Sequence, residues 1–198
     1  MKLIVGLGNP GPRYHLTRHN VGFDALNAFA DQHFFPPCQS RFEGLVTDQS
    51  VSGEKVVLLA PQTYMNLSGR SVRQCADFFK IEIENILVLL DDMNLDLGRL
   101  RIRRGGSAGG QKGLADIIQH FGNNQVPRLR IGIGRPPGRM AGSDFVLQRF
   151  TDDERQEIDV SIADCVAGME TWIKKGVAAA SNQLNPSKPK DEKDDAGN

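Results

Sequence analysis

His19 and Asp91 are the residues in this chain best suited to move a proton. A carboxylate that holds one imidazole nitrogen fixes the tautomer and leaves the other nitrogen free as a base. His19 lies in Gly6-Leu-Gly-Asn-Pro-Gly-Pro-Arg-Tyr-His-Leu-Thr-Arg-His-Asn-Val-Gly22, and Asp91 ends the apolar run Ile86-Leu-Val-Leu-Leu-Asp91. Asp92, next in sequence, competes for the carboxylate role. A local assignment also exists, with Asp91 capping a turn and His19 bonded to nearby backbone. Two amides, Asn9 and Asn66, fall on loops beside apolar residues, where an amide can hold a peptide backbone or a water. Tyr14 and Tyr64 are the only tyrosines and share those loops. Either can stack on a base or ribose, and either can instead simply pack.

Other chemistries fit less well. Gly6-x-Gly8-x-x-Gly11 after a strand resembles a dinucleotide fingerprint, but that motif opens directly into a helix and is followed about 20 residues later by an acid ending a second strand. Here Pro10 and Pro12 interrupt the turn, and Asp24 and Asp31 fall within a helical pattern. His15 and His19 are spaced i, i+4 but lack the Glu of a His-Glu-x-x-His zinc site, and they precede the helix. His33 and His120 read as surface residues near helix ends. The cysteines have no activating context, which disfavours covalent catalysis through a thiolate.

The elements that must position these groups follow from periodicity. Lys2 to Val5 reads as a buried strand. Asn20 to His33 reads as a helix that Asn20 can cap. Residues 42–50 and 55–60 read as a hairpin about Ser52-Gly53. Ser68 is expected to cap a second helix, with Val72, Cys75, Ala76 and Phe79 inward. Residues 85–90 form a strongly apolar strand, expected to be central. Residues 97–104 and 128–134 read as further strands. Between them the glycine-rich turn 105–110 leads into a helix over 114–121, stopped by Gly122. A long helix starts at Asp153, and a shorter piece over 177–184 follows. The pattern predicts one α/β domain over 1–185, three layers deep, with a mixed, mostly parallel central sheet and helices on both faces. From Pro186 the chain has no apolar face, and residues 186–198 are expected to be a disordered tail.

A chain of 198 residues is long enough for one sizeable core. No apolar run approaches a membrane span, and the N-terminus does not have the shape of a signal peptide. Cys38, Cys75 and Cys165 are few, odd in number and far apart, which suits a reducing cytosol; Cys165 has the spacing of a packed helix residue. The formal net charge of zero conceals an uneven distribution. Arg99, Arg101, Arg103, Arg104, Lys112, Arg128, Arg130, Arg135 and Arg139 lie between Leu97 and Ser143, where Asp116 is the only acid. Clustered charge of this kind suits a partner that presents phosphates.

Taken together, several motifs resemble those of the bacterial peptidyl-tRNA hydrolase family. They are the Gly6–Gly11 loop, Tyr14, Thr17-Arg-His-Asn-Val-Gly22, Tyr64-Met-Asn-Leu-Ser-Gly69, Ile86–Asp91, Gly105-Gly-Ser-Ala-Gly-Gly110 and Leu129-Arg-Ile-Gly-Ile-Gly134. They keep the family's order over nearly the whole chain. The resemblance implies hydrolysis of the ester between a peptide and the 3′ ribose of tRNA by a cytoplasmic monomer. It chooses Asp91 over Asp92, makes His19 the base for an attacking water, and gives Asn9 the recognition of a blocked peptidyl group. Asn66 would position water or peptide, Met65 would line the pocket, and Tyr14, Tyr64 and Lys112 would meet the tRNA 3′ end and acceptor stem. An ester is activated enough that no metal or other cofactor is expected. A non-hydrolytic RNA-binding relative on the same scaffold is the alternative, and the intact His19, Asp91 and Asn9 favour the enzyme. The chain departs from the family after Gly110, where Gln111-Lys112-Gly113 replaces the usual His-Asn-Gly. Neither an imidazole nor an asparagine amide is available there, and Lys112 is expected to contact a phosphate or ribose instead.

Overall fold

The computed structural model describes residues 1–185; the expected tail over 186–198 lies outside them. Seven strands form one sheet: β1 (Lys2–Gly6), β2 (Gln39–Arg41), β3 (Gly44–Val51), β4 (Glu54–Pro61), β5 (Ile86–Asp92), β6 (Leu100–Arg103) and β7 (Arg128–Gly132). Their spatial order is β2-β3-β4-β1-β5-β7-β6. β4, β1, β5 and β7 run parallel, while β3 and β6 are antiparallel to their neighbours. The centre is therefore parallel and both margins are antiparallel, the mixed sheet that the hairpin implied. All seven residues of β5 are buried, because helices cover both faces.

One core layer joins Leu87 and Leu89 of β5 to residues of α1 (Val21–Gln32) and α5 (Asp152–Leu184). The other joins Ile86, Val88 and Leu90 to α2 (Ser68–Phe79) and α3 (Lys112–Phe121). Trp172 and Phe29, both 0% exposed, are the largest side chains of the first layer. The helical stripe from Ile158 to Ile173 is buried there, as its period requires. α5 starts in a capping box, with Thr151 and Glu154 exchanging side-chain and backbone bonds. It breaks at Gly176, whose φ of 79° lies where side chains are disfavoured, so 177–184 is a separate short piece as expected. At its end Asn185 bonds both the N–H and the C=O of Ile102, at 2.9 Å each, and so pairs the outer edge of β6.

Several local expectations change. The strand expected over 97–104 is confined to Leu100–Arg103, because Gly98 has φ of 71° and turns the chain before it. Ser68 is the first residue of α2 rather than its cap, and its hydroxyl donates to Met65 O at 2.8 Å. Asn20 does stand at the N-cap position of α1, but its side chain does not cap. β2 and the four-residue α4 (Gly142–Phe145) lack a readable period, being three and four residues long. No helix among the described residues is long and apolar enough to cross a membrane.

The loop leaving β1 and the start of α1 touch backbone to backbone. A Cβ on Gly22 would lie 2.6 Å from the carbonyl oxygens of both Leu7 and Leu89. The Gly22→Ala variant is therefore expected to lose about 1–3 kcal/mol of stability in urea unfolding, since neither oxygen belongs to a movable side chain.

Candidate active site

The carboxyl ends of β1 and β5 lie side by side, and the loops above them enclose a cavity of about 460 Å³. Asn9 comes from the loop after β1. His19 belongs to the one-turn helix Arg18–Asn20 that leads into α1, and Asp91 ends β5. His19 Nδ1 lies 2.8 Å from Asp91 Oδ2, across 72 residues of chain. The carboxylate side chain is 4% exposed and the imidazole 13%. An ionised carboxylate only accepts, so the neutral ring carries its proton on Nδ1 and keeps the Nε2 lone pair free. The period of the strand separates the two candidate carboxylates. Leu87 and Leu89 share the α1 face of β5 with Asp91. Asp92 points the other way, ion-pairs with Arg130 and accepts from Asn94 N–H at 2.8 Å.

The two flanking amides differ in freedom. Asn9 Oδ1 accepts from Met65 N–H at 2.8 Å, which fixes the orientation of the amide and leaves its NH2 end to donate into the cavity. Asn66 is exposed on the rim. Met65, 4% exposed, forms part of the floor, and Tyr64, 59% exposed, stands at the mouth with Lys112, the first residue of α3. Tyr14 is not among the lining residues; it sits on the one-turn helix Pro12–Tyr14 with Arg13 4.5 Å from its ring centre. His15 lines a neighbouring groove with Pro10, Pro12 and Phe23, so it does not converge with His19 on a shared ligand.

Three residues matter here in ways that sequence alone did not reveal. Asn20 donates to Asn9 O at 2.9 Å and accepts from Asn9 N–H at 2.8 Å. Gln111 is buried beneath the glycine-rich turn, its Nε2 lying 3.0 Å from Asp91 Oδ1. Arg18, 4% exposed, lies between the rings of Phe145 and Phe150, 4.4 and 4.7 Å from their centres. It ion-pairs with Glu154 at 2.6 Å, and the backbone N–H of His19 donates to Val146 O at 2.8 Å. The turn that carries His19 is thus fastened to the start of α5. A basic residue inside a Thr-Arg-His-Asn motif was the available signal, but its partners are more than 100 residues away.

The basic segment divides between inside and outside. Arg103, Arg104, Lys112, Arg135 and Arg139 are exposed. Arg128, by contrast, is 2% exposed and donates to the carbonyls of Gly106, Ser107, Asn124 and Val126. Burial first, then the neighbouring Arg130 and Arg103, push its pKa down to about 10. It fastens the glycine-rich turn and is not part of an outer basic face. The thiols offer no nucleophile to the cavity. Burial pushes Cys75 up to about 12 and Cys165 higher still, and neither lines the cavity. The arrangement provides one oriented base, amide donors and a solvent-accessible mouth, which is the equipment for attack by an activated water on an acyl group.

Comparison with known proteins agrees with this chemistry. The family profile described as "Peptidyl-tRNA hydrolase" matches residues 3–193. The chain is 49% identical over 185 residues to the peptidyl-tRNA hydrolase of Rhodopirellula baltica, covering 93% of this chain and 97% of that one. It is 44% identical to that of Clostridium novyi, covering 93% and 98%. Its fold superposes on a crystal structure of peptidyl-tRNA hydrolase from Acinetobacter baumannii with a TM-score of 0.89, at 37% identity and 96% coverage of both chains.

The Arg18 clamp can be tested without substrate. Arg18→Ala is expected to lower stability by about 2 kcal/mol or more in chemical unfolding. Arg18→Lys should recover only part of it, because an ammonium cannot lie flat between two rings.

Proposed function

The chain belongs to the peptidyl-tRNA hydrolase family, and from that premise we propose how its cavity performs the reaction. The protein is an enzyme that hydrolyses peptidyl-tRNA. In the proposed mechanism His19 Nε2 takes a proton from a water as the water oxygen attacks the ester carbonyl carbon. Asp91 holds the ring and stabilises its charged form. When the carbon–oxygen bond to the 3′ ribose breaks, the proton passes from His19 to the leaving oxygen, giving a free peptide acid and a tRNA with its hydroxyl restored. The Asn9 NH2 group donates to a carbonyl of the peptidyl group, which a free aminoacyl ester lacks. Asn66 positions the water or the peptide, above the floor formed by Met65.

The single observation that carries this reading is the 2.8 Å contact of His19 with Asp91 at the base of an open cavity lined by Asn9 and Asn66. Tyr64 and Lys112, which line the cavity, would receive the tRNA 3′ end, the first by stacking and the second by charge. Tyr14 would act farther from the ester, along the acceptor stem. The exposed arginines at 103, 104, 135 and 139 would follow its phosphates. A monomer is the acting unit in this proposal, and the substrate supports the cytoplasm as its place of action.

The His19→Ala variant is expected to keep its fold and its tRNA affinity while turnover falls roughly a hundred- to ten-thousandfold. Near wild-type hydrolysis by that variant would sink the assignment of the base. Binding should weaken steeply with salt, and Arg103→Ala with Arg104→Ala should flatten the log–log slope by about one unit for each phosphate no longer neutralised. Affinity that ignores salt would argue against an arginine-lined tRNA path.

A further inference from the structure

We propose that Gln111 is a positioning residue of this reaction: its side-chain amide holds the Asp91 carboxylate oxygen that does not face His19, and so keeps the carboxylate plane aligned with the imidazole. The inference rests on the His19–Asp91 reading above and deepens it.

Gln111 is 8% exposed, and each of its side-chain polar groups is occupied. Oε1 accepts from Leu114 N–H at 2.8 Å and so caps α3. Nε2 lies 3.0 Å from Asp91 Oδ1 and 3.2 Å from Met65 Sδ. The cap settles which end of the amide is which: reversing it would set an oxygen against the carboxylate and an NH2 against a backbone N–H. Capping alone does not call for a glutamine, since shorter side chains are the better caps. The additional length is what reaches Asp91.

The brace acts on a soft degree of freedom. The terminal torsion of an aspartate is broad and roughly twofold, so a carboxylate held at one oxygen can rock away from its partner. Asp91 is held at both, by His19 on Oδ2 and by Gln111 on Oδ1. Its 4% exposure leaves little room for solvent to replace either donor. The amide also exchanges no proton at working pH. It therefore orients the carboxylate without adding a second titrating group beside the base.

The experiment compares Gln111→Ser, Gln111→Ala and Asp91→Asn with wild type, in the full chain. A serine at this position can still cap α3 but is too short to reach Asp91. Melting temperature, kcat and KM for peptidyl-tRNA, and the 15N shifts of the His19 ring are measured for each. The proposal expects Ser to recover the melting temperature that Ala loses. Both should show kcat reduced about ten- to a hundredfold at nearly constant KM. The His19 shifts in both should move from the Nδ1–H form toward a tautomer mixture. Wild-type kcat in Gln111→Ser would reduce Gln111 to a helix cap. A raised KM at unchanged kcat would make it a substrate contact, and a lowered kcat with unaltered His19 shifts would place its effect elsewhere; each of these overturns the proposal. If Asp91→Asn keeps its turnover, the failure belongs to the catalytic pair itself and not to its brace.

Discussion

Asn20 commits its whole side-chain amide to the backbone of Asn9, through bonds of 2.8 and 2.9 Å, and so ties the loop leaving β1 to the start of α1. From that tie the contacts run on without a gap. Asn9 accepts from Met65, Met65 sulfur meets Gln111, Gln111 reaches Asp91, and Asp91 meets His19, the residue before Asn20. The series closes on itself. The side chains of Asn20, Gln111 and Asp91 are each held at more than one point, so none of the three can change rotamer without breaking a neighbour's bond. Catalysis by charge and proton placement depends on this kind of prior order, because groups already in place need no reorganisation as the reaction proceeds.

The sheet supplies the frame for that circuit. β1 and β5 are adjacent and parallel, while α1 packs on one face and α2 and α3 on the other. The chain after β1 crosses to α1 and the chain after the adjacent β4 crosses to α2 on the opposite face, which opens a crevice at the carboxyl ends of the central strands, where ligands of open α/β sheets bind. Asn9 and Asp91 stand on its two sides. Strand alternation then divides the labour between adjacent acids. Asp91 serves the crevice, and Asp92 neutralises Arg130 on the opposite face.

The sequence was most legible where a residue's role depended on its own element. The apolar runs of β1 and β5, the stripe of α5 and the stop at Gly122 could be read from period and turn chemistry alone. His19, Asp91 and Asn9 could be singled out because each stood at the end of such an element. Roles set by distant partners could not be read. Arg18 looked like a motif arginine, yet its place is decided by Phe145, Phe150 and Glu154. Arg128 looked like part of a basic face, and four backbone carbonyls draw it inside. Gln111 looked like a loss relative to the family pattern because its reach to Asp91 is a fact of tertiary structure. Tyr14 had the right residue type on the right loop, but the turn at Pro12–Tyr14 sets it apart from the cavity lining.

The N-terminus of α1 illustrates how function can reverse an engineering rule. Asn, Asp and Ser are nearly interchangeable as helix caps, and a designer seeking a more heat-resistant enzyme would exchange them freely at the residue before a helix. Position 20 has that address, but its side chain makes no cap at all. An aspartate there could not donate to Asn9 O, and a serine could not span both of its backbone groups. A stability screen that scores only the helix would rank such changes as harmless or helpful. The α1 terminus has instead been left uncapped so that its first side chain can serve the neighbouring loop, a sacrifice of local stability that only an activity screen would detect.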